Sequence, residues 1–194
     1  AMMRPLCAVS LLFLATGCPG SNSAACPATS TQAGDFTLTL RLQPGAGQCR
    51  VISTADGGVA DGDVATAPAP QNATMCVGRD PDSGVDLLYM AVENRTVRPS
   101  LLNPDGSFEF KTNSTGITGT VCGCALDVVE TITGFIQPAT PGAFQIAPDG
   151  GQLTPPIASI QGTLVDGLDG SVGATGCLCN LPCTLAYQLI GTDR

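Results

Sequence analysis

"DFTLTLRL", residues 35–42, places Phe36, Leu38, Leu40 and Leu42 two positions apart, with Thr37, Thr39 and Arg41 between them. A helix would scatter those four apolar side chains round its axis, whereas a strand puts them on one face, so the stretch reads as a half-buried β-strand. Working outward, "PGAG" turns the chain into "QCRVIS" (48–53), and "ATMCVGR" (73–79) is a further short apolar run. "VDLLYMAVEN" (85–94) also suits one helical face through Val85, Leu88, Tyr89 and Val92, but its neighbours are strands and it is read as one. "VRPSLL", "NPDG" and "SFEFKT" (97–112) read as a hairpin with Phe108 and Phe110 inward. "GITGTVCGC" (116–124) and "DVVETITGFI" (127–136) make a second pair. After a Pro-rich loop at 138–142 come "AFQIA", "IASIQGTLVD", a Gly/Asp turn at 166–170, "SVGATGCLC" and "TLAYQLIG". Short strands at this turn spacing predict one all-β domain over residues 35–194, an antiparallel β-sandwich with a closed β-barrel as the alternative.

Composition agrees. The chain holds 24 glycines and 15 prolines but three glutamates and one lysine, which favours strands and turns over helices. Its net charge of −8 has no basic cluster to set against it, which argues against a nucleic-acid partner. Histidine is absent, so no Ser-His or Cys-His pair can form, and no catalytic residue is nominated. Glu93, Glu109 and Glu130 read as solvated side chains on strand faces. Residues 54–72 lack periodicity and read as a long exposed loop. "DPDSGVD" (80–86) resembles the start of a calcium loop, but the twelfth position is Ala91 where a carboxylate is required, and turn chemistry accounts for its Asp and Gly. These two loops are the first candidates for a recognition surface.

The amino-terminal segment carries a different signal. Leu6–Ala15 is an apolar run of ten residues after Arg4. A bilayer-spanning helix needs about 20 apolar residues, so the run has the proportions of an export signal. "LATGC", residues 14–18, resembles the lipobox of bacterial lipoproteins. That resemblance implies a signal peptide over residues 1–17, cleavage before Cys18, a diacylglyceryl thioether on Cys18 and an acylated amino terminus. With Pro19 rather than Asp after the cysteine, it also implies the outer membrane of the cell envelope. An ordinary signal cut after Ser23-Ala24-Ala25 is the competing reading. Residues 18–34, small and polar after the cysteine, read as a flexible tether that would leave the membrane as the protein's first partner, held through the lipid.

With Cys7 in the signal and Cys18 lipidated, eight cysteines remain: Cys26, Cys49, Cys76, Cys122, Cys124, Cys177, Cys179 and Cys183. An even number in an exported chain predicts four disulfides, and about 105 pairings are open. Cys122 and Cys124 would point the same way in a strand, as would Cys177 and Cys179, so each pair should reach two different partners. "GTVCGCALDVVETITG" (119–134) and "ATGCLCNLPCTLAYQLIG" (174–191) share Cys-x-Cys-x-Leu, an echo that suits either a duplicated hairpin or chance. A soft metal held by the thiolates of Cys122, Cys124, Cys177, Cys179 and Cys183 is the rival use, but zinc knuckles use Cys-x2-Cys spacing and an oxidising compartment favours bridges. No cofactor is expected. The sequence thus predicts a lipid-anchored, non-enzymatic binding or structural module, with a barrel carrying a small apolar ligand, or a metal-handling lipoprotein, as rivals.

Overall fold

A computed structural model describes residues 25–43, 45, 48–50, 68–93, 95–118, 122–148 and 151–194. The export signal, Cys18 and most of the 54–72 loop lie outside them. The described residues form ten strands: β1 (Ser30–Gln43), β2 (Gln71–Arg79), β3 (Asp86–Val92), β4 (Arg98–Leu101), β5 (Ser107–Ile117), β6 (Leu126–Pro138), β7 (Gln145–Ile146), β8 (Leu153–Thr154), β9 (Ile157–Gly170) and β10 (Cys183–Asp193). Eight of them bond into one antiparallel sheet in the order β4-β3-β2-β1-β10-β9-β6-β5. Its two outermost strands, β4 and β5, then meet, and the amide of Glu109 donates to Ser100 Oγ across the seam. The all-β, antiparallel, disulfide-stapled class read from the sequence is what the chain forms. Of its two forms, the continuous sheet curled until its edges touch is the barrel-like one.

Alternation decides the interior, as the period of a strand requires. Phe36, Leu38 and Leu40 of β1 face inward and meet Met75 and Val77 of β2, Leu88 and Met90 of β3, Phe110 of β5, Ile132 and Ile136 of β6, Ile160 and Leu164 of β9, and Leu189 of β10. β7 and β8 pair with each other across one end and bring Phe144, Ile146 and Leu153 into the same core. The inward glycines Gly134 and Gly162 are register partners on β6 and β9, and a Cβ on Gly134 would sit 2.2 Å from the Gln161 carbonyl oxygen. Glycine is therefore the residue that permits this approach.

Four elements differ from the sequence expectation. β1 begins at Ser30, inside the stretch expected as tether, because Ser30–Gln32 pair with Gly78–Cys76 of β2 across a bulge at Gln32/Gly34. β4 and β5 follow each other in sequence but share no ladder; they are the two edges of the sheet, not a hairpin. Pro99, which has no amide hydrogen to donate, is at home on such an edge. The Cys-x-Cys segments lie outside the named strands, in the connections leading to β6 and β10. Finally, residues 166–170 do not turn. They continue β9, with Val129 of β6 and Thr184 of β10 both opposite Gly167, and two filled ladders outweigh a local turn preference.

Candidate functional site

β4 is four residues long and β5 eleven, so the seam opens beyond Arg98. A pocket of about 270 Å3 occupies that opening, lined by Arg95 and Thr96, by Arg98 of β4, by Thr112 and Ser114 of β5, and by Val128 and Glu130 of β6. Glu130 is placed by parity. It shares the inward face of β6 with Ile132 and Ile136, and its register partners are Thr112 on β5 and Asp166 on β9.

The Glu130 carboxylate joins two guanidinium groups. Arg98 Nη2 donates to Oε1 in a short ion pair, and Arg95 Nη1 donates to Oε2 at 3.0 Å. Arg98 is only 5% exposed, and burial draws its pKa below the usual arginine range against the pull of Glu130. Asp166, directly across the ladder, is pushed up to about 7, first by burial and next by the Glu130 charge, with Arg95 and Arg98 opposing. Tyr187 of β10 is raised as well, by burial and then by Asp166. Among the described residues, two buried side-chain nitrogen or oxygen atoms make no hydrogen bond: Arg98 Nε and Asp166 Oδ1. Such atoms are uncommon in folded proteins and costly, and both belong to this cluster.

The eight predicted cysteines form four bridges: Cys26–Cys76, Cys49–Cys183, Cys122–Cys179 and Cys124–Cys177. Each Cys-x-Cys pair does reach two partners, and those partners are the other pair. A small second cluster of Cys122, Cys124, Leu126 and Cys179 packs around these bridges, with Val128 and Leu168 against it. Sulfurs joined in disulfides present no thiolate to a metal, so in this oxidised form the five cysteines weighed as ligands are staples.

Of the two loops expected to recognise a partner, residues 51–67 lie outside the description, and Gln71 and Asn72 belong to β2. Two of the three carboxylates of 80–86 are already engaged. Asp80 Oδ1 accepts from the amides of Asp82 and Ser83, which lowers its pKa, and Asp86 pairs with Arg79 at 2.7 Å. Turn chemistry accounts for this loop.

Sequence reasoning missed the seam cluster. Glu130 is not a solvated side chain: it sits on the buried face of its strand. The signal was available, since Glu130 has the parity of Ile132 and Ile136, and Asp166 that of Ile160 and Leu164. Arg98 could not have been placed so, because nothing local says that the two outermost strands meet beside it. The chain matches no protein family, no curated protein and no solved structure.

Proposed function

We propose that the protein is an exported, lipid-anchored binding module of a bacterial cell envelope, held through Cys18 at the outer membrane and without a catalytic role. The observation that carries the binding part is the seam pocket, where the charged side chains of Arg95, Arg98 and Glu130 border open space and the buried Nε of Arg98 has no hydrogen-bond partner. A binding group must be pre-positioned by its surroundings, and here strand parity and the Glu130 ion pairs do that. The anchor rests on the lipobox of residues 14–18 and on four disulfides, which belong to an oxidising compartment. Bridging of Cys26 to Cys76 ties the domain down close to residue 25, so the domain would ride near the membrane surface. The rival of an apolar ligand held inside the barrel has less support, because Phe36, Met75, Leu88, Met90, Phe110, Ile132, Ile160 and Leu189 occupy that interior themselves.

Acyl labelling tests the anchor. Expressed in a bacterial host fed labelled palmitate, the wild type should take up label and partition into detergent, while Cys18→Ala should do neither and be released in soluble form. Equal behaviour of the two proteins would refute the anchor.

A further inference from the structure

The geometry points to the seam pocket as a binding site for a small monocarboxylate with a short apolar tail, gripped by the guanidinium of Arg95 beside the buried Arg98–Glu130 pair. This names the ligand class of the binding module above and rests on that reading.

Charge comes first. Two guanidinium groups share one carboxylate, so Arg95, Arg98 and Glu130 together carry one uncompensated positive charge. The Arg98 side chain is 6% exposed and that of Glu130 is 12% exposed, so these two neutralise each other away from water, and the excess charge falls on Arg95, whose side chain is 38% exposed and borders the pocket. A monoanion entering the pocket meets that charge directly and balances it. The donors come second. Each guanidinium has five N–H bonds in a planar fork suited to a carboxylate. Arg95 commits only Nη1 to Glu130, which leaves its other side-chain donors open to a ligand, while the unpartnered Nε of Arg98 is buried. Size and lining come third. At roughly 30 Å3 per water, a space of 270 Å3 takes a molecule of up to about nine heavy atoms. Thr96, Thr112 and Ser114 offer hydroxyl groups, while Val128 gives the wall an apolar strip against the Leu126 cluster.

Asp166 makes the site respond to pH. The charged and titratable groups around it are Glu130 from β6, Arg95 and Arg98 from the β4 side, and Tyr187 from β10. When Asp166 loses its proton it supplies the missing negative charge itself and competes with the ligand. Anion binding and protonation of Asp166 therefore favour each other.

The test is a nuclear magnetic resonance titration of the oxidised full chain carrying Cys18→Ala, with butyrate as probe and butyramide as its uncharged counterpart. Butyrate should shift resonances of residues 95–98, 112–114 and 128–130 and saturate with a Kd of about 1 mM. Affinity should be about tenfold higher at pH 6 than at pH 8, the change in the protonated fraction of Asp166. Arg95→Gln, at a position whose side chain is 38% exposed, should weaken binding at least about tenfold while its spectrum remains that of a folded chain. Shifts without saturation, equal binding of butyramide, or undiminished binding by Arg95→Gln would each overturn the proposal. Tighter binding of inorganic phosphate at the same residues would overturn the carboxylate assignment. The protein tested lacks the anchor, so failure here leaves the membrane reading intact, and failure of acyl labelling leaves this one intact.

Discussion

At the end of the barrel covered by β7 and β8, Phe144, Ile146, Leu153 and Ile157 fill the interior. Towards the other end the inward positions of β4, β6 and β9 are taken by Arg98, Glu130 and Asp166, and three of the four disulfides lie there, at Cys49–Cys183, Cys122–Cys179 and Cys124–Cys177. The first end is held by removing apolar surface from water, at about 25 cal/mol per Å2. The second has exchanged part of that driving force for buried charge, which stabilises a fold weakly at best. Crosslinks act on the unfolded chain and do not require an apolar interior, so they can hold an end that packing holds poorly. The difference teaches that a polar pocket can be kept open in a small barrel when its rim is stapled.

The largest effect should come from the longest staple. Cys49 and Cys183 are 134 residues apart, and in the chain-entropy account the double variant Cys49→Ala/Cys183→Ala loses about 4–5 kcal/mol, read by chemical denaturation. A loss under about 1 kcal/mol would show that the polar end holds itself together and would break the comparison. Next, Phe110→Ala removes a fully buried ring from the packed interior and should cost about 3–4 kcal/mol with all four bridges intact. If it cost no more than a surface change, packing would not be what holds the barrel.

The smallest effect isolates one buried carboxyl. Asp166 has its pKa raised in the folded state from 3.8 to about 7. Its proton therefore stabilises the fold fully below about pH 4, and that contribution is lost as pH rises through about 7. Asp80, Asp105 and Asp127 are shifted the opposite way by hydrogen bonds, so they add stability as pH rises above the acid range. The stability of wild type minus that of Asp166→Asn should hence fall from pH 4 to pH 7.5 and then level off, in paired denaturation curves at each pH. A flat difference would mean that Asp166 is as acidic folded as unfolded.

Much of this was legible in residues 35–42, where alternation named both the strand and its inward face, and in the apolar runs at 73–79 and 184–191, which read as strands. "VDLLYMAVEN" was harder: its helical pattern was set aside because its neighbours read as strands, and it does pair with β2 and β4. Residues 166–170 misled for the same reason in reverse. Gly167, Asp169 and Gly170 speak for a turn, but β6 and β10 flank β9 and hold it extended. Glu130 was assigned to solvent because a carboxylate on a strand usually is, and Asp166 to a turn, although their parity placed them with isoleucine and leucine.

By itself the sequence determined the all-β class, most of the strands and the even set of eight cysteines outside the proposed signal and lipid site. Side-chain alternation is a steric property of a few consecutive residues, and parity needs no coordinates. Only the tertiary structure decided which cysteines join, that the two outermost strands of the sheet meet, and that Arg95, Arg98, Glu130 and Asp166 gather where those strands part. Those outcomes depend on distances between residues far apart in the chain, fixed jointly by ladder register and core packing.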